Sequence, residues 1–176
     1  GQVVNKDHNK ALELYGKAAE QGDVLAQNTL GVMYLEGEVV DQDNIQAFEW
    51  FEKASGQGHS LSSVYLAAFY NEGLGVEKNN EMAYELYHRI ALEGIELEKN
   101  GSHILVDLIL GLGGYSIAYT NLGAMYYTGE GVEQDDDQAF KWFDKAAESG
   151  LDSAQFNLGV MYDEGQGVEQ DDKKAF

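Results

Sequence analysis

The chain contains no cysteine, which removes a disulfide framework, a thiolate zinc site and a cysteine nucleophile together and leaves the redox compartment open. Positive charge is scarce. Eleven Lys and Arg stand against 31 Asp and Glu, a formal net charge of -20 over 176 residues. So acidic a surface repels phosphate backbones and anionic headgroups, which disfavours nucleic acid and membrane surfaces as partners. Long apolar runs are missing as well. The longest, Ile104 to Leu112, is broken by Asp107 and Gly111 and falls far short of the roughly 20 residues a membrane-spanning helix needs. Gly1-Gln2-Val3-Val4 offers neither the basic start nor the apolar core of a targeting signal. The compartment therefore stays open: bacterial export or periplasm and cytoplasm are both compatible, the eukaryotic secretory pathway less so, although Asn100-Gly101-Ser102 would be a glycosylation acceptor there.

What the chain does have is a period, and a period sets the fold before any single element does. Ala11, Ala47 and Ala83 are 36 residues apart, Ala139 follows after 56 and Ala175 after another 36. Gly22, Gly58, Gly94 and Gly150 keep the same spacing, as do Leu30, Leu66, Leu122 and Leu158, each followed four residues later by Tyr34, Tyr70, Tyr126 or Tyr162. An excess of 20 residues thus lies at 95–114. The units run at about 5–40, 41–76, 77–132 and 133–168, with a fifth beginning at 169–176, as one repeat solenoid over 1–176. Within a unit, Ala47, Phe48, Trp50, Phe51 and Ala54 recur at helical spacing, and Leu66, Phe69 and Tyr70 follow after Gly58, so each unit reads as a hairpin of two amphipathic helices.

Punctuation supports the hairpins. Asp7, Asp43, Asn79, Asp135 and Asp171 stand where each first helix starts, and their side-chain oxygens can accept orphan backbone N–H groups. Asp43 with Gln46, and Asp135 with Gln138, have the spacing of a capping box. The period puts Gly22, Gly58, Gly94 and Gly150 just past the first helix, where a left-handed residue ends it. Gly31, Ala67, Gly123 and Gly159 fall inside the second helix, where glycine costs about 1 kcal/mol against alanine, so a close helix crossing is expected there. Gly73-Leu74-Gly75-Val76, Gly129-Glu130-Gly131-Val132 and Gly165-Gln166-Gly167-Val168 turn the chain into the next unit.

The run Ala139-Phe140-Lys141-Trp142-Phe143-Asp144-Lys145-Ala146-Ala147, then Gly150, Ala154-Gln155, Leu158-Gly159-Val160-Met161-Tyr162 and Gly165-Gln166-Gly167-Val168, resembles the Sel-1-like repeat (SLR) family, a branch of the tetratricopeptide-type α-solenoids. The resemblance covers nearly all of the chain except the inserted 20 residues. It implies an all-α fold, a right-handed α/α superhelix of helical hairpins, used as a scaffold or adaptor that binds proteins. Cysteine-rich bacterial members carry a disulfide in each repeat, and a chain without cysteine lies outside that subgroup. Gly1 is in register with Gly37 and Phe176 with Phe140, so a piece of a longer array is expected, because a solenoid needs polar caps at its ends.

Chemistry-bearing motifs do not accumulate. Neither S-x-x-K, G-x-S-x-G nor H-E-x-x-H occurs, and the Gly-x-Gly connectors follow helices and lack the lysine of a phosphate loop. His8, His59, His88 and His103 occupy four separate settings, so surface histidines are expected rather than a metal cluster. Acidic runs such as Asp41-Gln42-Asp43 and Glu133-Gln134-Asp135-Asp136-Asp137 could suggest calcium, but they do not follow the pattern of a calcium loop, and helix capping with solvation accounts for them. Trp50-Phe51 and Trp142-Phe143 lie beside the periodic alanines and are expected in the core. No catalytic, cofactor or metal residue is expected, and the chain is read as a non-enzyme. The alternative is small-molecule binding or hydrolysis of a cell-wall or β-lactam kind, as proposed for the cysteine-rich relatives; the lack of a serine–lysine pair at helical spacing counts against it.

Two surfaces remain as candidate partner sites. In tetratricopeptide-type solenoids the first helices line the concave groove, and the resemblance would place Glu13, Glu49, Glu52, Glu85, His88, Lys141 and Asp144 on it. This acidic strip would suit a protein or peptide of basic character. The plainer reading is a solvated face on which Glu13, Glu49 and Glu85 pair at i+4 with Lys17, Lys53 and Arg89, a pattern that Lys141 and Lys145 break. The second surface is the insertion, where Ile104, Leu105, Leu108, Ile109 and Leu112 are apolar nearly all round a helix. Left in water they would forgo about 1.5–3 kcal/mol each. A short helix at about 103–110 is therefore expected, packed on a hairpin or on a partner, with the preceding first helix lengthened to about Glu98 and a break at Gly111, Gly113 and Gly114 before Tyr115 resumes the repeat. Self-association through the insertion or the solenoid ends is a further expectation.

Overall fold

In a computed structural model of the chain, the described residues, 8–100 and 114–168, form eight α-helices and no strand. They are α1 (His8–Glu20), α2 (Val24–Glu36), α3 (Asn44–Gly56), α4 (Ser60–Glu72), α5 (Asn80–Lys99), α6 (Gly114–Thr128), α7 (Asp136–Ala147) and α8 (Asp152–Glu164). Two compact units divide them, Gly1–Lys78 with α1 to α4 and Asn79–Phe176 with α5 to α8.

Each first-type helix described in full begins as its cap residue dictates. The Asp43 carboxylate accepts from the N–H groups of Ile45 and Gln46 at 2.9 and 3.0 Å. Asn79 accepts from Met82 at 3.0 Å and Asp135 from Gln138 at 2.9 Å. The capping boxes do not close, however. The Asp43 N–H donates to the Tyr34 carbonyl and the Asp135 N–H to the Tyr126 carbonyl, both at 2.9 Å, so the donor a capping-box glutamine would have satisfied is already taken. The Gln46 amide turns to Glu49 instead, at 3.3 Å. The periodic tyrosine thus contributes its backbone as well as its ring, tying the end of one hairpin to the start of the next.

Small residues let the helices close up. Ala47, Phe51 and Ala54 of α3 and Leu66, Ala67 and Phe69 of α4 are buried in the first unit; Ala83, Tyr87, Ile90 and Ala91 of α5, Ala118, Tyr119 and Leu122 of α6, and Ala139, Phe143 and Ala146 of α7 are buried in the second. The close crossings expected at Gly31 and Gly123 are there. A Cβ on Gly31 would lie 2.5 Å from the Phe51 ring, and one on Gly123 would lie 2.6 Å from the Phe143 ring, well inside the roughly 3.5–4.0 Å at which carbon atoms rest. The connectors have the same logic: Gly75 takes φ +67 and presses on the Asn44 carbonyl, so that a Cβ would meet the oxygen at 2.6 Å. The tandem aromatics divide rather than both entering the core, since Phe51 and Phe143 are buried while Trp50 and Trp142 are half-buried.

The third hairpin departs from the period. Gly22, Gly58 and Gly150 take positive φ at the ends of their helices, but Gly94 does not end α5. The helix runs on to Lys99, seven residues past the place that corresponds to the last residue of α3, and Gly94 is buried within it. Its missing side chain leaves room for Tyr119, whose Oη would lie 2.5 Å from a Cβ there. The lengthening to about Glu98 agrees with the sequence reading. On the far side α6 starts at Gly114 rather than Tyr115. The short helix expected at 103–110, with Ile104, Leu105, Leu108, Ile109 and Leu112, lies outside the described residues, as do Asp7, Asp171 and Ala175. Among the described residues no helix is long and apolar enough to cross a membrane.

Candidate partner-binding faces

In the first unit, Glu13 on α1 sits between two cations. Lys10 Nζ lies 2.8 Å from one carboxylate oxygen and Lys17 Nζ 2.5 Å from the other, and Lys10, then Lys17, hold its carboxyl below the usual range. On α3, Glu49 and Glu52 are exposed. The expected Glu49–Lys53 pair is not made, because Lys53 Nζ stands 3.8 Å from the centre of the Trp50 ring. A cation over an indole face is worth about 0.5–1 kcal/mol at an exposed site, as much as a surface ion pair, and here the ring wins. Among the described residues Glu49 is thereby left with the Gln46 amide.

The second unit holds the other predicted residues. Glu85 on α5 and Lys141 and Asp144 on α7 are exposed, and no Glu85–Arg89 ion pair forms among the described residues. His88 is half-buried. Its ring stacks on Tyr84 with centroids 5.5 Å apart and meets Trp142 edge-on at 6.4 Å, while Trp142 stacks on Tyr119 at 5.8 Å. The structure therefore brings His88 of α5 to Trp142 of α7, a contact that sequence spacing does not show. Trp142 keeps its buried indole Nε1 without a hydrogen-bond partner among the described residues.

Two further members of this cluster escape the spacing argument. Tyr84 and Tyr126 share a hydrogen bond between hydroxyls at 2.8 Å, and burial, then Tyr84, pushes the Tyr126 phenol up to about 12. The signal is in the period: Tyr84 occupies the place of Phe48 and Phe140. Those rings meet Tyr70 and Tyr162 edge-on at 5.5 and 5.4 Å, as Tyr84 meets Tyr126 at 5.8 Å. Lys145 is also anchored rather than free to offer charge. It pairs with Glu98 of the lengthened α5 and, at 3.4 Å, with Glu148. Burial alone would lower its pKa, but the two carboxylates together raise it. His59, expected at the surface, is a helix cap whose Nδ1 accepts from the Ser62 N–H at 3.3 Å, and burial lowers its pKa. Among the described residues no group of three or more His, Asp or Glu is placed to hold a metal ion.

The repeat unit and the hairpins that carry these faces match the Sel1 repeat at residues 1–23, 24–59, 60–95, 116–151 and 152–176. The chain belongs to the Sel1 repeat family. The matched segments leave out 96–115, so the family pattern breaks where the extra residues sit. Among solved structures, the Sel1 repeat protein of Oxalobacter formigenes is similar with TM-score 0.79 and 30% identity over 98% of this chain and 63% of that one. A protective antigen of uropathogenic Escherichia coli strains, displaying an SLR fold, gives TM-score 0.53 and 30% identity over 99% of this chain and 41% of its own. Helicobacter pylori cysteine-rich protein B gives 0.53 and 26%, over 88% and 96%. The chain thus spans less than two thirds of the length of the first two. Comparison with curated proteins found no match. All-helical Sel1 solenoids are the structural neighbours, and the resemblance drawn from the repeat motifs, outside the cysteine-rich subgroup, is upheld.

Proposed function

We propose that this Sel1 repeat chain is a non-enzymatic scaffold or adaptor that binds a protein or peptide of basic character through the exposed faces of its first-type helices, with the 95–114 segment as a second contact. One observation carries the reading: Glu49, Glu52 and Glu85 are exposed and have no cation paired with them among the described residues. In a chain of net charge -20, exposed carboxylates without a paired cation, beside a Lys53 held on an aromatic ring, favour a positively charged ligand. Glu13 contributes less, since its own lysines neutralise it. Surface charges of this kind act mainly on encounter rate and are screened beyond about 8 Å at physiological salt.

The test is affinity capture from the native source, followed by titration of the retained protein with the triple variant Glu49→Lys, Glu52→Lys, Glu85→Lys. The variant is expected to bind at least about tenfold more weakly at low salt and to lose most of the salt dependence. Equal affinity and equal salt slope in a folded triple variant would remove these faces from the binding surface.

A further inference from the structure

The first unit contains a template for something the second unit lacks. On α4, Tyr65 lays its ring parallel on Phe51 of α3, centroids 4.4 Å apart and planes within 12°, near enough to Glu36 of α2 that burial and then that carboxylate raise its phenol pKa. One period of 36 and one of 56 further on, Phe143 stands for Phe51, Thr128 for Glu36 and Asn157 for Tyr65. An amide replaces a ring. The space left is a cavity of about 310 Å³ whose walls include Tyr127, Thr128, Phe143, Asn157, Val160 and Met161. Ligand pockets begin at about 300 Å³, and the template shows which shape this one fits. Its rim is acidic: the Tyr127 hydroxyl donates to Glu164 at 3.3 Å, and after burial the carboxylates of Glu164 and Asp136 raise the Tyr127 pKa.

We infer that this slot between α6 and α8 binds an aromatic side chain of a partner peptide that carries Lys or Arg beside it, the ring lying on Phe143 as Tyr65 lies on Phe51 and the cation meeting Glu164. Shape selects the ring and charge complementarity selects its neighbours. The inference rests on the scaffold reading only in taking the ligand to be a peptide, and the residues that line the slot do not include Glu49, Glu52 or Glu85.

The probe is acetyl-Arg-Tyr-Arg-amide, compared with acetyl-Arg-Ala-Arg-amide, titrated into the isotopically labelled chain while the backbone amides of Tyr127, Asn157 and Val160 are followed by NMR. The tyrosine peptide is expected to shift these amides saturably and to bind about tenfold or more tightly than the alanine peptide. Asn157→Tyr, which rebuilds the template ring in place, should abolish the shifts, and Glu164→Gln should weaken binding and flatten its salt dependence. Equal binding of the two peptides to the unaltered chain, or no shift at these amides at millimolar peptide, overturns the slot whether or not Asn157→Tyr folds. Binding lost in the Glu49, Glu52, Glu85 triple variant but kept in Asn157→Tyr moves the site to the acidic faces, which overturns the slot and leaves the scaffold reading standing.

Discussion

Replacing Gly31 by alanine adds one methyl group, and the packing around it leaves that methyl group nowhere to go. Its carbon would lie 2.5, 2.6 and 2.9 Å from three atoms of the Phe51 ring, so the ring must retreat by about an ångström to reach ordinary contact. Retreat is blocked. Phe51 is fully buried, with Tyr65 stacked on one face at 4.4 Å and Phe69 edge-on at 5.7 Å. Overpacking of this kind costs about 1–3 kcal/mol, and the clamped ring puts the cost in the upper part of that range. Against it stands about 1 kcal/mol gained from helix propensity when alanine replaces glycine. The net expectation is a loss of about 1–2 kcal/mol, or a fall of roughly 2–8 °C in Tm for a chain of this size. Gly16→Ala is the control, because a Cβ there meets nothing within 4 Å and only the propensity gain of up to about 1 kcal/mol remains. Urea and thermal unfolding read by far-UV circular dichroism should therefore move in opposite directions for the same substitution. Gly123→Ala should cost less than Gly31→Ala, since the cavity beside Phe143 gives that ring a direction in which to yield. A Phe51→Leu background should remove most of the Gly31→Ala cost, the coupling expected of two residues in contact. If Gly31→Ala is as stable as Gly16→Ala, the close crossing is not what requires glycine in the second helix.

Tyr84→Phe should restore the edge-on aromatic pair seen at Phe48 and Phe140 without the hydroxyl contact, costing no more than about 1 kcal/mol. Tyr126 should then titrate below about 12 in an ultraviolet titration, with burial still holding it above its ordinary value. Because that pKa is raised in the folded chain, the stability it contributes is complete below the unfolded value near 10 and is lost as pH climbs through 12; an unchanged titration would refute the role of the hydroxyl pair. Lys145→Met should free the last turns of α5, seen as faster hydrogen exchange of the amides from 95 to 99. The Lys145 pKa lies above 10.5, so this anchor is at full strength at neutral pH and fades only as pH rises through the raised value. Unaltered protection there would show that Glu98 does not hold the extension.

The fold is legible in the sequence because every unit repeats the same few contacts, and repetition converts weak signals into one strong one. A single alanine or tyrosine says little, whereas Leu30, Leu66, Leu122 and Leu158, each with its tyrosine four residues on, can only be one face of one helix repeated. Partners are harder to read than positions. Gly31 is recognisable as a close-crossing residue, but that Phe51 fills the crossing depends on how the next helix docks. Three of the departures from the sequence reading share a cause, a competitor for a group that spacing assigns elsewhere. The Tyr34 carbonyl takes the Asp43 N–H from Gln46, the Trp50 ring takes Lys53 from Glu49, and Glu98 takes Lys145, whose i−4 neighbour is Lys141 rather than a carboxylate. The aromatic cluster around His88 is legible in principle, since Tyr84 breaks a column otherwise occupied by Phe48 and Phe140, but a period is found through likeness and this signal lies in a difference.

Gly94 shows how an inserted segment can reuse a repeated register for a different physical purpose. At Gly22, Gly58 and Gly150 the glycine is needed for its backbone, because φ is between +80 and +91, a conformation in which a side chain would be strained. At Gly94 the backbone is ordinary helix and the missing side chain is what counts, for it admits the Tyr119 hydroxyl and the Tyr115 ring. Tyr119 Oη then donates to Glu98 at 3.4 Å, and Glu98 in turn holds Lys145. Continuing α5 through Gly94 therefore forfeits a turn and gains a chain of contacts linking α5, α6 and α7. Those contacts begin where the other hairpins stop, so the extra turns of α5 are built into the second unit before the chain reaches residue 101.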